Sequence, residues 1–118
     1  MGLRKKILVV EDDQGLRQTF LALFRRSPHA CIAVPIREGI ARVRRGERPD
    51  LIIADLWGNP AGCERLLSRL RLAGGKILCL SCRECPHGGR PPCAGDTILP
   101  DAVPRKDGLL ATVERLLL

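Results

Sequence analysis

Three short apolar runs in this chain each stop on an oxygen-bearing polar residue, and that recurrence limits the fold more than any other feature. Ile7 to Val10 stops at Glu11, Asp12 and Asp13, Leu51 to Ala54 stops at Asp55, and Ile77 to Leu80 stops at Ser81. Runs this short, apolar at every position instead of every second one, are the pattern of strands buried on both faces, as in a parallel sheet. A parallel sheet needs a crossover between successive strands, so the segments between the runs should carry helices.

They do carry helical spacing. Leu16, Phe20, Leu23 and Phe24 form one stripe, and Ile36, Ile40 and Val43 form a second that Gly46 and Pro49 end. Between them, Ala30 to Val34 is closed by Pro35 and reads as another strand. Asn59 before Pro60 starts a third helix, with Cys63, Leu66, Leu67 and Leu70 as its apolar stripe and Gly74 and Gly75 as its stop. From Cys82 to Gly95 the text is CRECPHGGRPPCAG, rich in proline and glycine and without apolar periodicity, so a loop or one short turn is expected there. Thr97 to Leu99 is a minimal fifth strand, and Leu109, Leu110, Val113, Leu116 and Leu117 mark an amphipathic last helix after Pro104.

The order is β-α-β-α-β-α-β-(weak α)-β-α. Such alternation predicts an α/β protein with a doubly wound parallel sheet, helices on both faces and right-handed crossovers. At 118 residues, one domain over 1–118 is the expectation. Hydrophobic residues make up 45% but aromatics only 3%, so the core must be filled by aliphatic side chains from several packed layers.

No apolar run is long enough to span a bilayer, and the stretch after Met1 to Lys6 is too short for a signal peptide, so the expected location is the cytoplasm with no membrane insertion. The six cysteines are then read as reduced thiols. A formal net charge of +7 favours acidic partners. Arg37, Arg42, Arg44, Arg45 and Arg48 lie close together, but too few aromatics accompany them for base stacking, and a solvated helix face is the preferred reading over a nucleic-acid footprint.

Ligands of doubly wound sheets bind beyond the carboxyl ends of the strands, where the strand order reverses. Glu11, Asp12, Asp55 and Ser81 all fall at such ends. Carboxylates gathered at one edge repel each other, so the cluster makes electrostatic sense chiefly with a cation among them. Magnesium suits an all-oxygen set of one or two carboxylates plus waters and a phosphate.

The segments KKILVVEDD, RPDLIIAD and KILCLS, in this order and spacing, resemble the response-regulator receiver family of two-component signalling across nearly the whole chain. The resemblance implies a flavodoxin-like (βα)5 three-layer sandwich with a five-stranded sheet of order 2-1-3-4-5, here with its fourth helix short or missing. It also implies Glu11 and Asp12 as the acidic pair, Asp55 as the phosphoacceptor, Ser81 as the switch hydroxyl and a backbone carbonyl of Trp57 as a ligand to magnesium. The activity implied is attack of the Asp55 carboxylate on a phosphohistidine or small phosphodonor, in a signalling domain and not a metabolic enzyme. Its implied partners are a sensor histidine kinase or phosphotransfer protein and an output domain or protein, with a homodimer left open.

The chain departs from the family at the fifth strand, where the segment ILPDAV puts Asp101 at the position of the family's lysine. An anion in place of a cation disfavours a second negative group nearby. Two substitutes for the lysine are Arg83 and Lys106. A phosphorylation-independent interaction module is therefore an alternative, and so is a metal- or redox-sensing module built on Cys82, Cys85, His87 and Cys93, four residues of zinc-ligating type within one loop. Each acid also has a plain structural use: Asp12 or Asp13 can simply cap the first helix.

Overall fold

The computed structural model describes residues 4–55, 68–80, 97–99 and 106–118. In chain order it has β1 (Lys6–Val10), α1 (Gln14–Phe24), β2 (Ala30–Val34), α2 (Ile36–Arg44), β3 (Leu51–Asp55), a 3-10 turn (Arg71–Ala73), β4 (Lys76–Leu80), β5 (Thr97–Leu99) and a C-terminal helix (Lys106–Leu116). Residues 68–70, just before the 3-10 turn, are helical. Every strand pair is parallel. The body of the sheet runs β2-β1-β3-β4, and the three residues of β5 lie beside β4 through Leu78↔Thr97, Cys79↔Ile98 and Leu80↔Leu99.

The continuous apolar runs are explained by two separate cores, one on each side of the sheet. Leu8, Val10, Ile52, Ala54 and Ile77 face Val34, Ile36, Ile40 and Val43 of the β2–α2 unit, together with Leu70 and Ala73. Ile7, Val9, Leu51, Ile53 and Leu78 face Phe20 and Phe24 of α1 and Leu109, Val113 and Leu117 at the C-terminal end. Alternate residues of one strand thus enter opposite cores, and each position must be apolar. The two phenylalanines, both 3% exposed, are the largest side chains of the second core. Burying each stabilises the fold by about 2–3 kcal/mol relative to exposure.

Helix ends follow local chemistry. Asp13 is the N-cap of α1, its Oδ1 accepting the Leu16 N–H at 2.9 Å. Helix α2 begins after Pro35, which offers no side-chain cap, and Asp12 supplies the missing acceptor across the sheet end: Oδ1 takes the Ile36 N–H at 2.9 Å. The chain leaves α2 through Gly46 at φ 100° and leaves the 3-10 turn through Gly74 at φ 77°, both left-handed conformations that favour glycine. Arg42 pairs with Glu38 and Glu47, so part of the arginine-rich segment serves its own helix.

Gly39 sets the distance between layers. A Cβ there would collide with Cγ1 of Val10, so α2 rests directly on the carboxyl end of β1. Strands β1 and β4 each begin one residue earlier than their apolar runs, on Lys6 and Lys76. The ladder is made by backbone groups, and an exposed lysine at a strand's first position does not interrupt it. Among the described residues no helix is long and apolar enough to cross a membrane. The third helix's start at Asn59, the Cys82 to Gly95 loop and the short or missing fourth helix lie outside the described residues.

Candidate acidic site at the carboxyl edge

Strand β1 is where the order reverses, since β2 lies on one side of it and β3 on the other. Register pairs Val10 with both Val34 and Ala54. Glu11 therefore leaves β1 at the level where Asp55 ends β3, on neighbouring strands about 4.8 Å apart. The helices that flank this pair of strands lie on opposite faces, α1 with the second core and residues 70–73 with the first. That divergence opens the crevice in which doubly wound sheets bind ligands.

The three consecutive acids are not equivalent. Glu11 is only 6% exposed, continues the ladder through its N–H to Val34 O at 3.0 Å, and accepts the Asp13 N–H on Oε1 at 2.9 Å. Asp12 is exposed and reaches the start of α2. Asp13 is the helix cap, so the structural use foreseen for an acid in this turn falls on Asp13, while Glu11 and Asp12 occupy the strand end. A carboxylate offers about four lone-pair sites. The single bond accepted by Asp12 Oδ1 leaves it capacity for a further ligand.

Arg17 completes the turn. Its Nη1 donates to the carbonyl of Glu11 at 2.9 Å and to that of Asp12 at 2.8 Å. Neither this contact nor the Asp12 bond to Ile36 was foreseen in the sequence. Arg17 reads as a residue of a helix's other face, and Asp12 and Ile36 are 24 positions apart with no periodicity linking them. Among the described residues no three metal-ligating side chains cluster. Glu11 and Asp12 supply two hard oxygen donors, and Asp55 is placed beside them at backbone level. Trp57, Ser81, Arg83, Cys82, Cys85, His87, Cys93 and Asp101 lie outside the described residues. Lys106 begins the C-terminal helix.

The opposite edge has a different character. Two clefts, of about 540 and 510 Å3, open at the amino ends of the strands; Lys5, Asp50 and Lys76 line one, and Lys6, Ile32 and Pro49 the other. Their polar groups tie elements together: Lys6 N–H donates to Asp50 Oδ2 at 2.8 Å, and Lys76 Nζ to Leu116 O at 2.7 Å. His29 joins three elements there, its Nδ1 accepting the Lys5 N–H at 3.1 Å and its Nε2 lying 3.2 Å from Glu114 Oε1. Cys31, a free thiol on β2, is pushed by burial from 9.0 up to about 11. Both of these clefts lie at the end of the sheet opposite the acidic cluster.

No family model matches the sequence. No curated protein matches it either. Solved structures do match the fold. The chemotaxis response regulator CheY4 of Vibrio cholerae superposes with a TM-score of 0.77 at 21% identity, covering 98% of this chain and 100% of that one. A response regulator receiver protein of Sinorhizobium medicae gives 0.74 at 20% identity, covering 97% and 94%. The receiver domain of a Pseudomonas aeruginosa sensor histidine kinase, described with a magnesium ion coordinated in its active-site cleft, gives 0.71 at 18% identity, covering 98% of both. The chain has the receiver-type α/β fold.

Proposed function

We propose that the chain, read as one domain over 1–118, is a receiver module of two-component signalling, with Asp55 as phosphoacceptor in a magnesium-binding acidic pocket. The observation that carries the reading is the convergence of the ends of β1 and β3 at the reversal of strand order, with Glu11 buried and Asp12 exposed beside the position of Asp55. The pairing of Thr97–Leu99 with β4 supports a sheet of five strands in the order 2-1-3-4-5.

The described donors fit a hard dication: they are carboxylate oxygens, and one of them, Glu11, is already desolvated. Glu11, Asp12 and Asp55, with a backbone carbonyl of Trp57, would hold it. When bound, the ion supplies neutralisation of charge on a transferring phosphoryl group. Asp55 attacks phosphorus through a carboxylate oxygen; the O–P bond forms as the P–N bond to the donor histidine breaks, and the imidazole leaves with the electron pair and takes up a proton. Ser81, at the end of the KILCL run, supplies a hydroxyl for the bound phosphoryl group. The partners are a sensor kinase or phosphotransfer protein upstream and an output domain or protein downstream, in the cytoplasm.

Asp101 favours a second reading, in which the same fold works as an interaction module without phosphate. Titration of the full chain with magnesium and then beryllofluoride, followed through the single tryptophan Trp57, separates the two. A saturable beryllofluoride response that Asp55→Asn abolishes is expected. A folded wild-type protein that binds magnesium and ignores beryllofluoride would select the second reading.

A further inference from the structure

We propose that Arg17 is a positioning residue of the cation site, fixing the turn that presents Glu11 and Asp12; the inference rests on the magnesium-binding reading above. One guanidinium nitrogen holds two successive peptide carbonyls, those of Glu11 at 2.9 Å and Asp12 at 2.8 Å. Two hydrogens on a planar nitrogen diverge at a fixed angle, so this contact sets the orientation of both peptide units together. Arg17 is itself anchored by the first turn of α1, its N–H donating to Asp13 O at 3.0 Å.

The acidic side chains tie the turn to neighbouring N–H groups, Asp13 N–H to Glu11 Oε1, Ile36 N–H to Asp12 Oδ1 and Leu16 N–H to Asp13 Oδ1, while Glu11 N–H to Val34 O and Arg17 N–H to Asp13 O hold its two ends through the backbone. Among the described residues, Arg17 is the side chain that holds the carbonyls of both Glu11 and Asp12. Successive anionic side chains repel and spread in a loose turn. A turn held by its carbonyls presents them in one arrangement before the ion arrives, in the way outer groups orient metal ligands.

The inference carries a diagnostic sign. Arg17 is a cation, and by charge alone its removal strengthens the binding of a dication to the neighbouring acids. If orientation dominates, removal weakens binding instead. The test is calorimetric titration of magnesium into the full chain, wild type against Arg17→Ala, Arg17→Met and Arg17→Lys, with thermal unfolding of each in the absence of the metal. Arg17→Met keeps the aliphatic stem and serves where the alanine variant fails to fold. Magnesium affinity is expected to fall about tenfold or more in the alanine and methionine variants, the scale of lost orienting contacts around metal ligands. Arg17→Lys, which retains a donor but not the planar pair, is expected to recover part of the loss. Affinity equal to or tighter than wild type in a folded Arg17→Met chain would overturn the role of Arg17 while leaving the site standing. Absence of magnesium binding in the folded wild type overturns the site, and this inference with it.

Discussion

The two ends of the sheet carry opposite charge and use it differently. At the amino ends of the strands, Lys5, Lys6, Arg48 and Lys76 surround Asp50, and the polar atoms there close the fold: Asp50 accepts from the start of β1, Lys76 holds the last turn of the C-terminal helix, and Arg48 Nη1 donates to Glu47 O at 2.9 Å. At the carboxyl ends, Asp13 is spent in the same way, as a helix cap. Glu11 and Asp12 stand where the strand order reverses, and the exposed Asp12 carboxylate accepts one bond there, on Oδ1. Charge alone therefore does not distinguish the two ends; position at the switch point, with the exposed Asp12 carboxylate, is what recommends the proposed site.

Asp12 gives the sharpest way to break that contrast. Asp12→Ala removes a donor from the proposed cation site, and magnesium affinity is expected to fall by on the order of a hundredfold, the upper end of what even indirect changes around metal ligands cause. The same substitution strands the Ile36 N–H, costing about 1 kcal/mol of stability. Calorimetry and denaturant unfolding measure the two separately. Asp50→Ala is the matching change at the other end: it also removes an acceptor from a backbone N–H and is expected to cost about 1 kcal/mol with magnesium affinity unchanged. Weaker magnesium binding in Asp50→Ala would mean that the two ends are not independent.

Gly39→Ala probes how closely the acidic end depends on packing. The new methyl meets Cγ1 of Val10, one residue before Glu11, and overpacking of this kind costs about 1–3 kcal/mol. A gain of up to about 1 kcal/mol in helix propensity offsets part of it. The net expectation is a loss of about 1 kcal/mol in unfolding free energy, smaller than the effect of Asp12→Ala on binding. A neutral or stabilising result would show that α2 shifts freely over β1.

These contacts also mark how far the sequence could be read. Both faces of the sheet were legible because burial on two sides leaves a signal at every residue of Ile7–Val10 and Leu51–Ala54. An acidic cap at Asp12 or Asp13 was legible from its place before a helical stripe, and the structure assigns it to Asp13. The tie from Asp12 to Ile36 was not, since it joins residues brought together only by the parallel pairing of β1 and β2. Gly39 gave no signal either: a glycine inside a helix reads as a weakness until the opposing Val10 is known. Ile32, apolar yet 42% exposed, is the reverse case, an edge-strand residue whose chemistry suggests more burial than its position gives.

The smallest expected effect concerns Cys31, which pairs in register with Ile7 near the basic end and packs against the second core. Burial disfavours its thiolate, raising the group from 9.0 to about 11, so the folded state keeps the proton more tightly than the unfolded chain does. Below pH 9.0 both states hold the proton and the stabilisation is fully present; above it the unfolded chain ionises first, and stability falls as pH rises towards about 11. The unfolding free energy of wild type minus that of Cys31→Ala is therefore expected to be flat at neutral pH and to decline across that alkaline window. The other thiols are common to both proteins and cancel. A difference that stays flat throughout would show that water reaches the Cys31 thiol. A decline accompanied by loss of magnesium binding in Cys31→Ala at neutral pH would show that the strand's amino end is coupled to the acidic edge.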